Sequence, residues 1–96
     1  MKLEWSAEAR AELRAIRRFI ARDSEFYADR TVARLIERAE SILAAPRRGH
    51  PVHEYPEEPL KEIHEPPYRI IYALSADAVS IVTIVHFKQR LRLLSA

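Results

Sequence analysis

The side chains best suited to chemistry lie near the end of the sequence, in the stretch EPPYRIIYALSADAVSIVTIVHFKQR that covers residues 65–90. Two apolar runs there flank a short polar turn, and the basic side chains set among them are Arg69, His86, Lys88 and Arg90. Guanidinium and ammonium groups bind anions, and an imidazole can also take up or release a proton near neutral pH. We therefore expect one face of this strand pair to form a core and the other to form a working or docking surface.

The types of residue and the alternation of side chains between two faces predict a pair of strands. Residues of β-branched and aromatic type predict strands over 68–74 and 79–87, joined by a turn that pairs Leu74 with Val79 in an antiparallel hairpin. Successive side chains of a strand point to opposite faces, so this register assigns the members of the second face. They are Arg69, Ile71, Ala73, Val82, Ile84 and His86. Continued alternation would add Lys88 and Arg90 to that face.

Two amphipathic helices precede the hairpin. Ser6 is placed to cap the first, whose apolar stripe is Ala9, Leu13, Ile16 and Ile20. The second is predicted over residues 26–44, after a break at Asp23 and Ser24 and before Pro46, which ends it. The short connection makes the two helices antiparallel neighbours, and this αα-hairpin needs a further layer to bury its apolar faces.

The order of the elements predicts an α+β fold. Residues 1–5 alternate as a short strand would, and the proline-rich region 47–67 is predicted to be loop with one or two short strands, the best of them at 60–64. We predict a single domain over residues 1–96, in which the N-terminal strand and the αα-hairpin pack on one face of a small antiparallel β-sheet. A chain of this size can bury one core.

Composition is that of an ordinary globular protein, and the lack of cysteine fits a reducing compartment. The net charge of +2 permits nucleic-acid binding without requiring it, and the lack of cysteine removes a disulfide framework and a thiolate nucleophile. The N-terminus has no apolar signal segment, and no apolar run approaches the ~20 residues needed to cross a bilayer. We expect a cytoplasmic protein with no membrane partner.

Neither a cofactor nor a metal is expected. Gly49 is the only glycine, so the sequence has no glycine-rich phosphate loop. His50, His53 and His64 superficially suggest a metal site, but Pro51 lies between the first two and no cysteine is present to join them.

Several short motifs, spread in order along nearly the whole chain, together resemble those of a known protein family. They are LEWSAEARAEL at the first helix, AAPRRGHPV after the second, and then LKEI, YRIIY and SIVTIVHFKQR. In this order and spacing the sequence resembles the RelE/ParE superfamily of small bacterial toxins. The resemblance implies the toxin of a type II toxin–antitoxin module, an αα-hairpin on an antiparallel sheet, and a hetero-oligomer with a cognate antitoxin whose C-terminal segment wraps the toxin.

The resemblance leaves the mechanism open. RelE-like members are metal-independent ribonucleases that cut mRNA on the ribosome. In that case Arg69 would be the cation at the scissile phosphate, His86 the acid or base, and Lys88 or Arg90 a second cation. In-line attack by a 2′-hydroxyl needs such groups near the developing charge. ParE-like members are not enzymes and block DNA gyrase. A third possibility is an interaction domain that keeps the fold without toxicity.

Three features favour the ParE branch. No tyrosine follows Tyr72, and the chain ends LRLLSA, without the aromatic proton donor of many ribonuclease members. The region 54–65 holds five glutamates against the single Lys61 and would repel RNA. The end VHFKQR is similar to the histidine-then-basic end of the ParE pattern. We predict a ParE-like gyrase inhibitor.

The surface that contacts antitoxin or target is assigned to the second sheet face and the C-terminal end. Its predicted members are Arg69, Lys88, Arg90, Leu91, Arg92 and Leu94. Two residues have structural alternatives. Arg69 could form a salt bridge with Glu62 or Glu65, and His86 could be a hydrogen-bonded strand residue.

Overall fold

The computed structural model describes residues 1–92, which form two α-helices and one five-stranded sheet. The helices are α1 (Ala7–Ala21) and α2 (Glu25–Ser41), and a 3₁₀ turn over Ile42–Ala44 prolongs the second. The strands are β1 (Lys2–Trp5), β2 (His50–Pro51), β3 (Leu60–Glu65), β4 (Tyr68–Leu74) and β5 (Ala78–His86). Over these residues, every helix falls short of the length and apolarity that a membrane span requires.

Both helices begin at a serine that caps the first turn. The Ser6 Oγ accepts a hydrogen bond from the Ala9 N–H at 2.9 Å, and the Ser24 Oγ accepts one from the Tyr27 N–H at 3.1 Å. These bonds satisfy backbone donors that have no partner inside the helix. The predicted cap at Ser6 and break at Ser24 are confirmed. The second helix ends as α-helix at Ser41, three residues before the predicted end at 44, and the 3₁₀ turn fills the difference.

The strands lie in the order β1-β5-β4-β3-β2. The first strand runs parallel to β5, with Leu3 opposite Val79, and the remaining neighbours are antiparallel. The predicted α+β fold, a helical hairpin and a short N-terminal strand on a small sheet, is confirmed. The sheet is mixed rather than wholly antiparallel, because the N-terminal strand joins it at the edge of β5 in the same direction.

A β-bulge interrupts the β4–β5 hairpin. The predicted pairing of Leu74 with Val79 is confirmed, but Ile71 pairs with Thr83 and leaves Val82 as the extra residue. A bulge inserts one residue into one strand only, so the alternation of β5 is offset by one position beyond it.

The offset makes the predicted second face wrong beyond the bulge. Arg69 pairs with Val85, and His86 pairs with Tyr68 on the opposite face. Ile84 also moves to the helix-covered face, where it joins the main core. Apolar residues occupy both alternating sets of positions in β5, so the hydrophobic pattern does not fix the register there.

Both faces of the sheet are covered. The main core lies between the helices and the sheet and contains Ala9, Leu35, Ala39, Ile42, Ile70, Tyr72, Val79, Ile81 and Ile84. A second core lies on the other face and consists of Val52, Ile71 and Leu91, with Tyr55 and Leu60 packed against it. The expectation of one open face is therefore wrong, because the loop after β2 and the residues after β5 contribute side chains to that face.

Tyr72 ties the loop after α2 to the sheet. Its hydroxyl donates to the Pro46 carbonyl at 2.8 Å and accepts from the Gly49 N–H at 3.1 Å. A Cβ atom on residue 49 would lie 2.9 Å from the ring carbon Cε1 of Tyr72, which is closer than carbon atoms approach in folded proteins. Residue 49 is therefore a place where the close approach of backbone and ring requires glycine.

Candidate functional site

Arg69 lies at the centre of a buried ionic cluster on the face opposite the helices. Its side chain leaves β4 beside the Glu62 side chain of β3 and is covered by Glu54 from the loop after β2. The Nη1 and Nη2 atoms donate to the Glu54 carboxylate at 2.9 and 2.6 Å. The Nε and Nη2 atoms donate to the Glu62 carboxylate at 3.0 and 2.8 Å. We call Arg69, Glu54 and Glu62 the Arg69 cluster.

The charges of the cluster stabilise one another. Hydrogen bonds from Arg69 and, to a smaller extent, from the N–H of Leu91 lower the pKa of Glu54 to about 2 against an opposing effect of burial. Burial alone would raise the pKa of Glu62, but hydrogen bonds from Arg69 and His64 outweigh it and lower the pKa overall. The two carboxylates in turn raise the pKa of Arg69. The cluster is therefore ionised at neutral pH.

The expectation that the Arg69 guanidinium is free to meet a macromolecule is wrong. The residue is 5% exposed and makes four hydrogen bonds to carboxylate oxygens. A guanidinium has five N–H groups, so at most one remains for any other anion. The suggested salt bridge from Arg69 to Glu62 is confirmed, whereas Glu65 is not its partner among the described residues.

His86 does not lie beside Arg69. It occupies the opposite face of the sheet, where its ring contacts Tyr68 edge to face at a centroid distance of 5.6 Å. The His86 Nδ1 accepts a hydrogen bond from the Lys88 N–H at 3.0 Å, so this nitrogen is occupied by the turn that follows the strand. Arg90 is exposed beyond that turn. The three residues assigned to ribonuclease chemistry are thus not brought together as one site.

Residues 87–92, the C-terminal segment, leave the sheet in a hydrogen-bonded turn. The Gln89 N–H donates to the His86 carbonyl at 2.9 Å, and the Gln89 Oε1 accepts from the His86 N–H at 3.0 Å. Two residues later the Leu91 N–H donates to the Glu54 Oε2 at 2.7 Å. Strand β5 ends at His86, so the predicted strand alternation does not continue to Lys88.

The C-terminal segment separates its apolar side chain from its cations. Leu91 is 2% exposed and belongs to the second core, so its predicted place on an exposed binding surface is wrong. Glu54 accepts the Leu91 N–H, so the backbone donor of this residue is satisfied where its side chain is buried. The exposed cations of the segment, here called the cationic surface, are Lys88, Arg90 and Arg92. Leu94, also predicted to bind a partner, lies outside the described residues 1–92.

Among the described residues, one group of potential metal ligands shares two carboxylates with the Arg69 cluster. Ligand atoms of His53, Glu54 and Glu62 lie within 4.8 Å of one another. The two carboxylates already bind the Arg69 guanidinium. Because a metal would have to displace that ion pair, we assign no metal to these residues.

Two further surfaces were not identified from the sequence. A cleft of about 600 Å³ between α2 and β3 is rimmed by Arg38, Arg48, His50 and His64. At the end of the helical hairpin, three aromatic side chains are more than 60% exposed, and they are Phe19, Phe26 and Tyr27. The exposed aromatic residues could have been identified from the sequence, because each lies outside the apolar stripe of its helix.

Glu54 is the principal residue that sequence reasoning missed. It stands 15 residues before Arg69 and 37 residues before Leu91, and no local pattern links residues so far apart. Its only sequence signal was membership in an acidic region, which does not separate a buried carboxylate from a solvated one.

Comparisons with known proteins agree with this fold. The family model described as ParE toxin of type II toxin–antitoxin system, parDE, matches residues 3–91. Among solved structures, a chain of the chromosomal ParDE TA system from P. aeruginosa superimposes with a TM-score of 0.74 at 19% identity, over 90% of this chain and 95% of that chain. At that identity the structural likeness shows a shared fold. No sequence among the curated proteins matches at a significant level.

Proposed function

This chain belongs to the ParE toxin family of type II toxin–antitoxin systems, and from that premise we propose that it inhibits DNA gyrase and is neutralised by a cognate antitoxin. The observation that carries the proposal is the difference in exposure among the basic residues. Arg69 is buried and saturated by carboxylates, whereas Lys88, Arg90 and Arg92 are exposed on one short segment. A protein that acts by binding needs an accessible surface, and this segment supplies one.

The arrangement of Arg69 supports binding over RNA cleavage. A ribonuclease of the metal-independent kind needs a cation that stabilises the extra negative charge of the phosphorane. Here the buried guanidinium is bound by two carboxylates whose net charge exceeds its own. A phosphate approaching this site would meet negative rather than positive charge.

The proposed partners follow from the same surface and from the family. An antitoxin would bind this toxin as a hetero-oligomer and cover surfaces that the target needs. A cationic surface on the toxin fits acidic residues on either partner, because complementary charge raises the rate of encounter and suppresses wrong partners. Gyrase acts on DNA inside the cell, so the proposed site of action is the cytoplasm.

A gyrase assay tests the proposal. Purified protein is added to DNA gyrase, and supercoiling of a relaxed plasmid is measured against toxin concentration. We expect inhibition by the wild type and at least about tenfold weaker inhibition after Lys88→Gln, Arg90→Gln and Arg92→Gln are combined, because close charge pairs at interfaces contribute on the order of 1.5 kcal/mol or more.

The matched control removes the same charge elsewhere. A triple variant at exposed helical arginines, Arg14→Gln, Arg18→Gln and Arg34→Gln, should inhibit gyrase as the wild type does. Equal loss of inhibition in both triple variants would mean that net charge alone matters. No inhibition by the folded wild type would refute the gyrase assignment.

Controlled expression distinguishes the RelE-like alternative. Gyrase inhibition predicts DNA damage and filamentation with intact messages, whereas ribosome-dependent cleavage predicts immediate translation arrest with cut mRNA. Growth without either effect would indicate an interaction domain that has kept the fold and lost toxicity.

A further inference from the structure

We propose that Glu54 is a positioning residue for the partner-binding surface. Its carboxylate holds the C-terminal segment in the place where Lys88, Arg90 and Arg92 form one cationic surface for an acidic site on the target. The inference rests on the proposed function, because it takes this segment to be the part of the toxin that contacts gyrase. It adds a residue that lies far from the segment in sequence and makes no contact with the target itself.

The carboxylate of Glu54 joins two parts of the molecule. One side of it binds the Arg69 guanidinium through two hydrogen bonds, and Arg69 is fixed in the centre of the sheet on β4. The Oε2 atom also accepts the Leu91 N–H at 2.7 Å, which is the shortest backbone contact of the C-terminal segment. Glu54 is itself 3% exposed at its side chain, so water does not compete for these bonds.

Two other contacts define the path of the segment. The Phe87 N–H donates to the Pro67 carbonyl at 2.8 Å, which fixes the start of the segment beside the β3–β4 turn. The Leu91 side chain packs with Val52 and Ile71 in the second core, which fixes its end. Lys88 and Arg90 lie between these anchor points and are exposed.

The cations themselves do not hold the segment in place. Within residues 1–92 no carboxylate lies at salt-bridge distance from the side chains of the cationic surface. Glu8 and Glu12 share a cleft of about 210 Å³ with Arg90 and Arg92 without forming an ion pair. The segment is therefore fixed by its backbone and by Leu91, and its charges stay available. Fixing a binding segment before the encounter reduces the ordering cost of association.

Three single variants separate positioning from general stability. Glu54→Gln keeps the shape of the side chain and removes the charge that binds both Arg69 and the Leu91 N–H. Leu91→Pro removes both the N–H donor and the buried leucine side chain that anchors the segment, and leaves the Glu54–Arg69 ion pair in place. Glu57→Gln makes the same charge change at an exposed glutamate of the same loop and serves as the matched control.

Two measurements are made on each variant: backbone amide exchange and inhibition of purified gyrase. In Glu54→Gln we expect exchange at Leu91 to accelerate at least about tenfold relative to exchange at Leu35 in the main core, since a hydrogen bond to a charged group is lost. Inhibition should weaken about tenfold in both Glu54→Gln and Leu91→Pro and stay unchanged in Glu57→Gln. If Glu54→Gln does not fold, Leu91→Pro carries the inhibition test.

Each outcome decides the inference. An unchanged ratio of exchange at Leu91 and Leu35 in Glu54→Gln would show that this carboxylate does not hold the segment. Full inhibition in Leu91→Pro would show that the position of the segment does not matter for the target. If the folded wild type does not inhibit gyrase, the proposed function is refuted, and the exchange ratio still decides whether Glu54 positions the segment.

Discussion

Arg69 and Glu54 meet in a bidentate ion pair, with the Nη1–Oε2 and Nη2–Oε1 distances at 2.9 and 2.6 Å. The same guanidinium binds Glu62 through a second pair of hydrogen bonds. Parallel hydrogen bonds of this kind fix the plane of the guanidinium as well as its position. Arg69 therefore joins β4, β3 and the loop after β2. Through Glu54, which also accepts the Leu91 N–H, this structural role extends to the C-terminal segment.

Removing the guanidinium should strongly destabilise the protein. Arg69→Ala leaves two buried carboxylates without their cation, and breaking such a pair from one side costs about 3–5 kcal/mol of the free energy of unfolding. Urea unfolding followed by circular dichroism measures this cost. The exposed Arg14→Ala should change stability by less than about 0.5 kcal/mol. A stable, folded Arg69→Ala protein would contradict the structural role, and any loss of toxicity could then be assigned to lost contacts.

Stability should fall in acid through Glu54. Its pKa is about 2 in the folded protein against an ordinary value of 4.5, so between these values the unfolded chain binds more protons than the folded one. The stabilisation is complete above pH 4.5 and is lost as the pH falls towards 2, with a size of about 3 kcal/mol. Glu62 contributes with the same sign.

Urea unfolding at several pH values between 6 and about 2 tests this dependence. The variant Glu54→Gln should be less stable at pH 6 and should show a flatter decline with falling pH, because the titrating group is gone. Glu57→Gln, at an exposed position, should keep the slope of the wild type. Parallel slopes in Glu54→Gln and the wild type would mean that other carboxylates cause the acid sensitivity.

Much of the fold could be predicted because its signals are local. The cap at Ser6, the 3.6-residue apolar stripes and the strand at Tyr68–Leu74 each depend on residues close in sequence. The β-bulge at Val82 had no such signal, since β5 carries apolar residues at successive positions and its pattern does not favour one register. Because the predicted register lacked this extra residue, the prediction placed His86 on the wrong face of the sheet.

The site was less predictable than the fold. The exposed cations Lys88, Arg90 and Arg92 were identified, because they follow the last apolar strand and no core could take them. The burial of Arg69 and Leu91 was missed, because it depends on Glu54 and Val52 in an irregular, proline-rich loop. Long-range contacts from such a loop leave no periodic pattern in the sequence.

The glycine at residue 49 should be necessary for full stability of the fold. Gly49→Ala brings a Cβ to within 2.9 Å of the Tyr72 ring, and overpacking of this kind costs about 1–3 kcal/mol. Thermal and urea unfolding measure the loss. Because the Tyr72 hydroxyl is among the atoms in the way, Gly49→Ala should cost less in a Tyr72→Phe background than in the wild type. Equal costs in both backgrounds would show that the ring carbons, and not the hydroxyl, cause the loss, and a negligible cost in both would show that the loop moves away freely.

The two helix caps offer a comparison within one chain. The Ser6 hydroxyl accepts from the Ala9 N–H and also donates to the carbonyl of Val82, the bulge residue, at 2.7 Å. The Ser24 hydroxyl accepts only the Tyr27 N–H. We expect Ser24→Ala to cost about 1 kcal/mol as an ordinary cap and Ser6→Ala to cost about 1 kcal/mol more, since a part-buried carbonyl then loses its donor. Urea unfolding of both variants measures the difference. Equal losses would mean that water replaces the Ser6 hydroxyl at Val82, and that the bulge does not depend on the first helix for its hydrogen bonding.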